Sequence, residues 1–174
     1  MNRQSKVDTY QRVVQEIEAV LESETDLLAA MVSIVCLLHQ AFDAYFWTGF
    51  YRRVGPDRLL VGPYQGTLGC LHITFERGVC GACARSTQTI IVPDVHEFPG
   101  HIACDPNSKS EIVVPVFDRG GELIAVFDVD SDQYGAFDEV DRRYLESIMS
   151  RLARFDAGPL VYRPPSTSHV RSFS

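Results

Sequence analysis

No block of lysine or arginine stands out in this chain, and 23 Asp+Glu against 16 Lys+Arg give a formal net charge of -7. Nucleic acids and anionic membrane surfaces are poor partners for such a balance. Long hydrophobic runs are also missing. The longest, near 34–38 and 112–117, fall far short of the roughly 20 residues that a membrane-spanning helix needs. The opening Met1-Asn2-Arg3-Gln4-Ser5-Lys6 leads into an amphipathic segment, not an apolar leader core, which argues for a cytoplasmic protein. The 5 cysteines are an odd number, and in a reducing compartment they should rest as thiols, which disfavours a structural disulfide framework. Internal repeats and a regular strand–helix–strand alternation are absent too. What remains is a chain of 174 residues, 45% hydrophobic, able to bury one core. One domain over residues 1–157 is expected, with a polar tail, 158–174, whose composition favours disorder.

Val7, Tyr10, Val13, Val14, Ile17, Val20 and Leu21 recur at helical spacing and predict an amphipathic helix over 8–22. Thr25-Asp26 caps a second, burying Leu27, Leu28, Met31, Ile34, Val35, Leu38 and Phe42. The aromatic stretch 45–51, a Gly55-Pro56-Asp57 turn and Leu59-Leu60-Val61 read as a hairpin, with Leu71-His72-Ile73 as a third strand. A short helix over 78–86, a strand at 90–92 and a long loop over 96–109 follow, the last of a length that is often functional. Strands at 111–117 and 122–129 form a hairpin around Arg119-Gly120-Gly121. Phe137-Asp138 opens the final helix, which buries Val140, Tyr144, Leu145, Ile148, Met149, Leu152 and Phe155. Helices on either side of an antiparallel sheet predict an α+β fold, with N-terminal and C-terminal helices packed on one face.

The cysteines divide by setting. Cys36 lies in Ile34-Val35-Cys36-Leu37-Leu38, where a thiol acts as a small hydrophobe. Cys70, Cys80 and Cys104 stand instead in Gly69-Cys70, Gly78-Val79-Cys80-Gly81 and His101-Ile102-Ala103-Cys104-Asp105. Such settings suit thiolate chemistry. Other residues have plain readings when taken singly: Trp47 and Tyr51 as core aromatics, Asp128-Val129-Asp130 as a solvated strand end, Glu111 as an edge charge, His72 and His101 as surface or hydrogen-bonding groups.

Their joint pattern is more specific. Trp47-Thr48-Gly49-Phe50-Tyr51, Val61-Gly62-Pro63-Tyr64-Gln65-Gly66, Gly78-Val79-Cys80-Gly81, Pro99-Gly100-His101-Ile102-Ala103-Cys104-Asp105, Ser110-Glu111-Ile112-Val113-Val114-Pro115 and Phe127-Asp128-Val129-Asp130-Ser131 occur in that order. The set resembles the signature of the free methionine-R-sulfoxide reductases, small GAF-domain enzymes, over about residues 8–155. The resemblance implies a GAF-like fold with the active site under loops on the sheet face away from the helices. It implies Cys104 as nucleophile, Cys70 as the resolving thiol that pairs with it in a disulfide, and Cys80 as an auxiliary thiol. It implies further that thioredoxin recharges the enzyme, that no metal or cofactor is bound, and that the chain forms a homodimer.

The chemistry of the remaining residues agrees with such a substrate. On a strand Asp128 and Asp130 point to one face, and burying like charges requires that one be protonated or that a cation arrive. The ammonium group of a free amino acid is such a cation, and a protonated carboxyl among Glu111, Asp128 and Asp130 can activate the sulfoxide oxygen. Trp47 and Tyr51, sharing a face, suit the methyl–sulfur end, and the backbone amides of 78–81 suit the substrate carboxylate. Cys83 departs from the family pattern by creating Cys80-Gly81-Ala82-Cys83, which opens two alternatives: a thiol relay, or zinc held with Cys70, His72, His101 or Cys104. The hairpin at Asp118-Arg119-Gly120-Gly121 is one residue longer than usual, with Ala125 where glycine is common. A small-molecule sensor without turnover, or a cysteine redox switch, are the rival functions.

Overall fold

Glycine and aspartate set the turn that organises the central hairpin. Gly121 takes φ +83°, a left-handed conformation open to it for want of a Cβ, and Asp118 accepts the backbone N–H groups of Gly120 and Glu122 on Oδ1 at 2.8 and 3.0 Å. The strands that it joins are β5 (Ser110–Phe117) and β6 (Leu123–Ser131), and both are buried along most of their length. The computed structural model describes residues 2–100 and 104–163. His101, Ile102 and Ala103 of the expected nucleophile segment, and 164–174 of the expected tail, lie outside them.

The other strands are β1 (Trp47–Arg53), β2 (Arg58–Gln65), β3 (His72–Thr74) and β4 (Ile90–Val92), and the six-stranded antiparallel sheet runs β3-β2-β1-β6-β5-β4. The helices are α1 (Arg3–Leu21), α2 (Leu27–Ala41), α3 (Gly78–Ser86) and α4 (Glu139–Ser150). Alternation along the strands divides their side chains between two cores. Phe50, Ile112, Val114, Ile124, Phe127 and Val129 pack under Tyr10, Val13, Ile17, Met31, Ile34, Leu38, Leu145 and Ile148 of α1, α2 and α4. On the opposite face Tyr51, Val113 and Val126 pack with Val79, Cys80, Cys83 and Ala84 of α3. The α+β arrangement with terminal helices on one face is therefore present.

Several boundaries move outward. α1 begins at Arg3 instead of residue 8 because Asn2 caps it, Oδ1 accepting from Ser5 N at 2.9 Å. Asp26 is the cap of α2 and Asp138 that of α4, where a capping box with Asp141 closes the first turn. Asp141 also joins the helices: it accepts from Tyr10 Oη at 2.8 Å and pairs with Lys6 Nζ at 2.5 Å. Val20 and Leu28, expected on buried faces, are 48% and 42% exposed. Residues 158–163 form a further packed segment: Gly158–Leu160 is a 3-10 turn, Val161 joins the helix-side core, and Tyr162 N donates to Arg53 O at 2.7 Å. Among the described residues no helix is long and apolar enough to cross a membrane.

Candidate active site

Register alone brings the three acids together. On β6 Asp130 lies directly across from Trp47 of β1 on one side and Glu111 of β5 on the other. One step along, Asp128 lies between Gly49 and Val113. Side chains opposite one another in an antiparallel pair stand about 4.5–5.5 Å apart at Cβ, so this face carries Glu111, Asp128 and Asp130 as one cluster. Glu111 is 6% exposed and Asp128 5%, a burial that the ionised forms tolerate poorly.

Their acidity follows from that placement. Burial first, then the charges of Asp128 and Asp130, push the Glu111 carboxyl well above the usual range. Burial and the Asp130 charge do the same to Asp128, against opposing hydrogen bonds from Cys80 and Glu111. Burial lifts Asp130 to about 7, although the Ser108 hydroxyl favours its charged form. The trio titrates as a unit that holds protons at neutral pH. Asp128 Oδ1 is buried without a hydrogen-bond partner.

An aromatic wall stands beside the acids. The Trp47 indole stacks on Tyr51, with ring centres 5.6 Å apart, and on Tyr64 at 5.3 Å, while its Nε1 donates to Thr67 O at 3.0 Å. Gly49 makes room for this stack: a Cβ there would lie 2.4 Å from Tyr64 Cβ and 2.6 Å from Trp47 Cη2. Tyr64 belongs to the Val61-Gly62-Pro63-Tyr64-Gln65-Gly66 motif, which by itself assigns it no role. Its signal was available in hindsight, since a glycine facing an aromatic across a hairpin marks space taken by a ring.

Two loops cover the cluster and are cross-linked. Cys70 and Cys104 form a disulfide, with Cα atoms 5.4 Å apart, and both are half-buried. Beside it Thr67 Oγ1 donates to Asp105 Oδ2 at 2.6 Å, and Asn107 N donates to Asp105 Oδ1 at 2.8 Å. These bonds hold the Asp105 carboxyl below its ordinary range. Trp47, Tyr51, Cys80, Cys104, Glu111, Asp128 and Asp130 all line the resulting cavity. Seven of the eight residues expected at the site thus line it, and the eighth, Cys70, is joined to it through the disulfide with Cys104. Thr67 and Ser108 are also among the lining residues, and no sequence motif pointed to either.

α3 contributes Cys80 from its first turn. Burial, then Asp128 and Glu111, push that thiol well up, so it stays protonated. Cys83 is fully buried and faces the sheet, its thiol 3.6 Å from Val113 O. The described donors that converge within 4.8 Å are Cys80, Glu111 and Asp128, a set that does not include Cys83. His72 lies on the edge strand β3, exposed and paired with Leu60.

Comparison with known proteins matches residues 22–155 to the GAF domain. The free methionine-R-sulfoxide reductase of Saccharomyces cerevisiae is 41% identical over 145 residues, covering 76% of this chain and 81% of that protein. The Escherichia coli protein of the same name is 35% identical over 150 residues, covering 86% and 90%. The crystal structure of the Neisseria meningitidis free methionine-R-sulfoxide reductase, in complex with its substrate, superposes with a TM-score of 0.80 at 42% identity, covering 85% of this chain and 88% of that one.

Proposed function

The chain belongs to the GAF-domain family, and from that premise we propose that it reduces the R epimer of free methionine sulfoxide to methionine with its own thiols. The observation that carries the reading is the Cys70–Cys104 disulfide beside a cavity lined by three clustered acids.

The Cys104 thiolate attacks the sulfoxide sulfur while an acid of the trio protonates the oxygen. Sulfur is reduced by two electrons, methionine leaves, and oxygen passes to Cys104 as a sulfenic acid. The Cys70 thiolate then attacks the Cys104 sulfur, the hydroxyl departs as water, and the disulfide forms. Two thiols and one sulfoxide thus become one disulfide, one thioether and one water. A bond made and broken in each cycle reconciles the disulfide with a chain whose composition favours reduced thiols. Cys80 is the auxiliary thiol, placed to donate to Asp128.

Substrate fit follows the cavity's two halves. The unpartnered Asp128 Oδ1 accepts from the ammonium group, aided by Glu111 and Asp130. Trp47 and Tyr51, extended by Tyr64, enclose the methyl–sulfur end. The start of α3 has no side-chain cap at Arg77, and Gly78 N is taken by Gly100 O, which leaves the amides of Val79 and Cys80 for the substrate carboxylate.

Thioredoxin is the proposed reductant, and Leu68 and Leu71, 75% and 58% exposed on either side of Cys70, support docking of such a dithiol protein there. Exposed Val20, Leu28 and Val32 on α1 and α2 support a homodimer. The proposed compartment is the cytoplasm, and the chemistry needs no bound cofactor.

The test is to mix reduced protein with racemic free methionine sulfoxide and dithiothreitol. Methionine should form until about half of the racemate is consumed, and Cys104→Ser should abolish it. No methionine, or formation unchanged in Cys104→Ser, defeats the proposal and returns the chain to a sensor role.

A further inference from the structure

We propose that Cys80, Glu111 and Asp128 form a binding site for a thiophilic divalent cation of zinc-like character. Their donor atoms, one sulfur and two carboxylate oxygens, lie within 4.8 Å of one another and all three residues are buried. The independent sign of a missing ligand is Asp128 Oδ1, buried without a partner on a residue that lines the cavity. A buried carboxylate oxygen in that position calls for a donor or a cation.

An ammonium group satisfies the oxygens but gains little from Cys80, because a thiol is a weak acceptor. A borderline-soft dication gains from all three. In zinc sites the Zn–S distance is about 2.3 Å and Zn–O about 2.0–2.2 Å, so donors in a tetrahedron stand roughly 3.4–3.6 Å apart. The three donors reach that geometry by closing little more than an ångström, and all three residues line the cavity, from which a further ligand can come. This site differs from the Cys80-x-x-Cys83 pair, since the Cys83 thiol is directed at Val113 O, 3.6 Å away. A bound cation would occupy the acids assigned above to the substrate ammonium, so thiophilic metals should inhibit turnover. That consequence rests on the proposed function, whereas the binding itself does not.

The test titrates cobalt(II), a spectroscopic substitute for zinc, into chelator-treated protein with the Cys70–Cys104 disulfide intact. A thiolate-to-cobalt charge-transfer band should grow, saturate near one equivalent and vanish when zinc is added. Cys80→Ser should abolish it, and Asp128→Asn should weaken binding about 10-fold or more, at least the effect of losing an outer-shell partner. Cys83→Ala and Cys36→Ser should leave it unchanged, with thermal melts confirming that each variant is folded. No band in the folded parent protein, a band that survives Cys80→Ser, or one lost in Cys83→Ala overturns the proposal. A band that forms but is not displaced by free methionine upholds the metal site and counts against the placement of the amino acid on these acids.

Discussion

Asp130→Asn should make the ligand-free protein more stable at neutral pH, by an amount that grows as pH rises. Asp130 stands between Trp47 and Glu111 on the pocket face, where burial raises its carboxyl to about 7. An aspartate in the unfolded chain titrates near about 3.9. Between those values the folded state keeps a proton that the unfolded chain has released. The group's contribution to stability is therefore fully present below about pH 4 and lost as pH rises through about 7. At about 1.36 kcal/mol per unit, the shift of roughly three units sets a ceiling of about 4 kcal/mol. Partial exposure of the residue and proton sharing with Glu111 and Asp128 reduce it, so a growth of about 1–2 kcal/mol is expected between roughly pH 5 and 7.5. Asparagine keeps the shape and an acceptor for the Ser108 hydroxyl, but cannot ionise. The assay is urea unfolding of both proteins, disulfide intact, across that range, with the difference in midpoint converted at a shared m-value. A difference that stays flat, or a wild type that gains on the variant with rising pH, would show that folded Asp130 ionises like an exposed aspartate and would refute the reasoning.

Three further perturbations separate the parts of the site. Asp128→Asn should raise KM for free methionine sulfoxide about 30-fold or more, as expected when one partner of a buried charge pair is lost, and steady-state kinetics with kcat compared separately will check it. Gly49→Ala places a Cβ 2.4 Å from Tyr64 Cβ. It should lower stability by about 1–3 kcal/mol and alter the near-ultraviolet circular dichroism of the Trp47 stack. Cys83→Ala should leave turnover within about twofold, because its buried thiol packs as a small hydrophobe; a larger loss would instead favour a relay through Cys83.

Legibility in the sequence tracked how local each determinant was. Helix caps at Asp26 and Asp138 and the Arg119-Gly120-Gly121 turn are short-range features, and each lies where it was expected. Seven of the eight site residues fall within six motifs that coincide in order, and no one of them announces its chemistry alone; Cys70 lies outside those motifs. Period-two alternation placed Asp128 and Asp130 on one face, but their registration with Glu111 and Trp47 depends on pairing across three strands. Contacts that arise only when distant loops meet were invisible. Ser108 beside Asp130 and Thr67 on Asp105 are of that kind. The start of α1 was missed for a different reason: its first turn is polar, and Asn2, not an apolar period, begins it. Likewise β2 continues through Gly62 and Pro63 to Gln65, where composition alone argues for a turn.

The most direct test of the central claim is a single turnover without added reductant. Fully reduced protein is mixed with one equivalent of free methionine-R-sulfoxide or of its S epimer, and both methionine and peptide-mapped disulfides are quantified. The account predicts about one methionine per chain, matched by one Cys70–Cys104 disulfide, with the R epimer alone. Methionine without that disulfide, or equal yields from the two epimers, would contradict it.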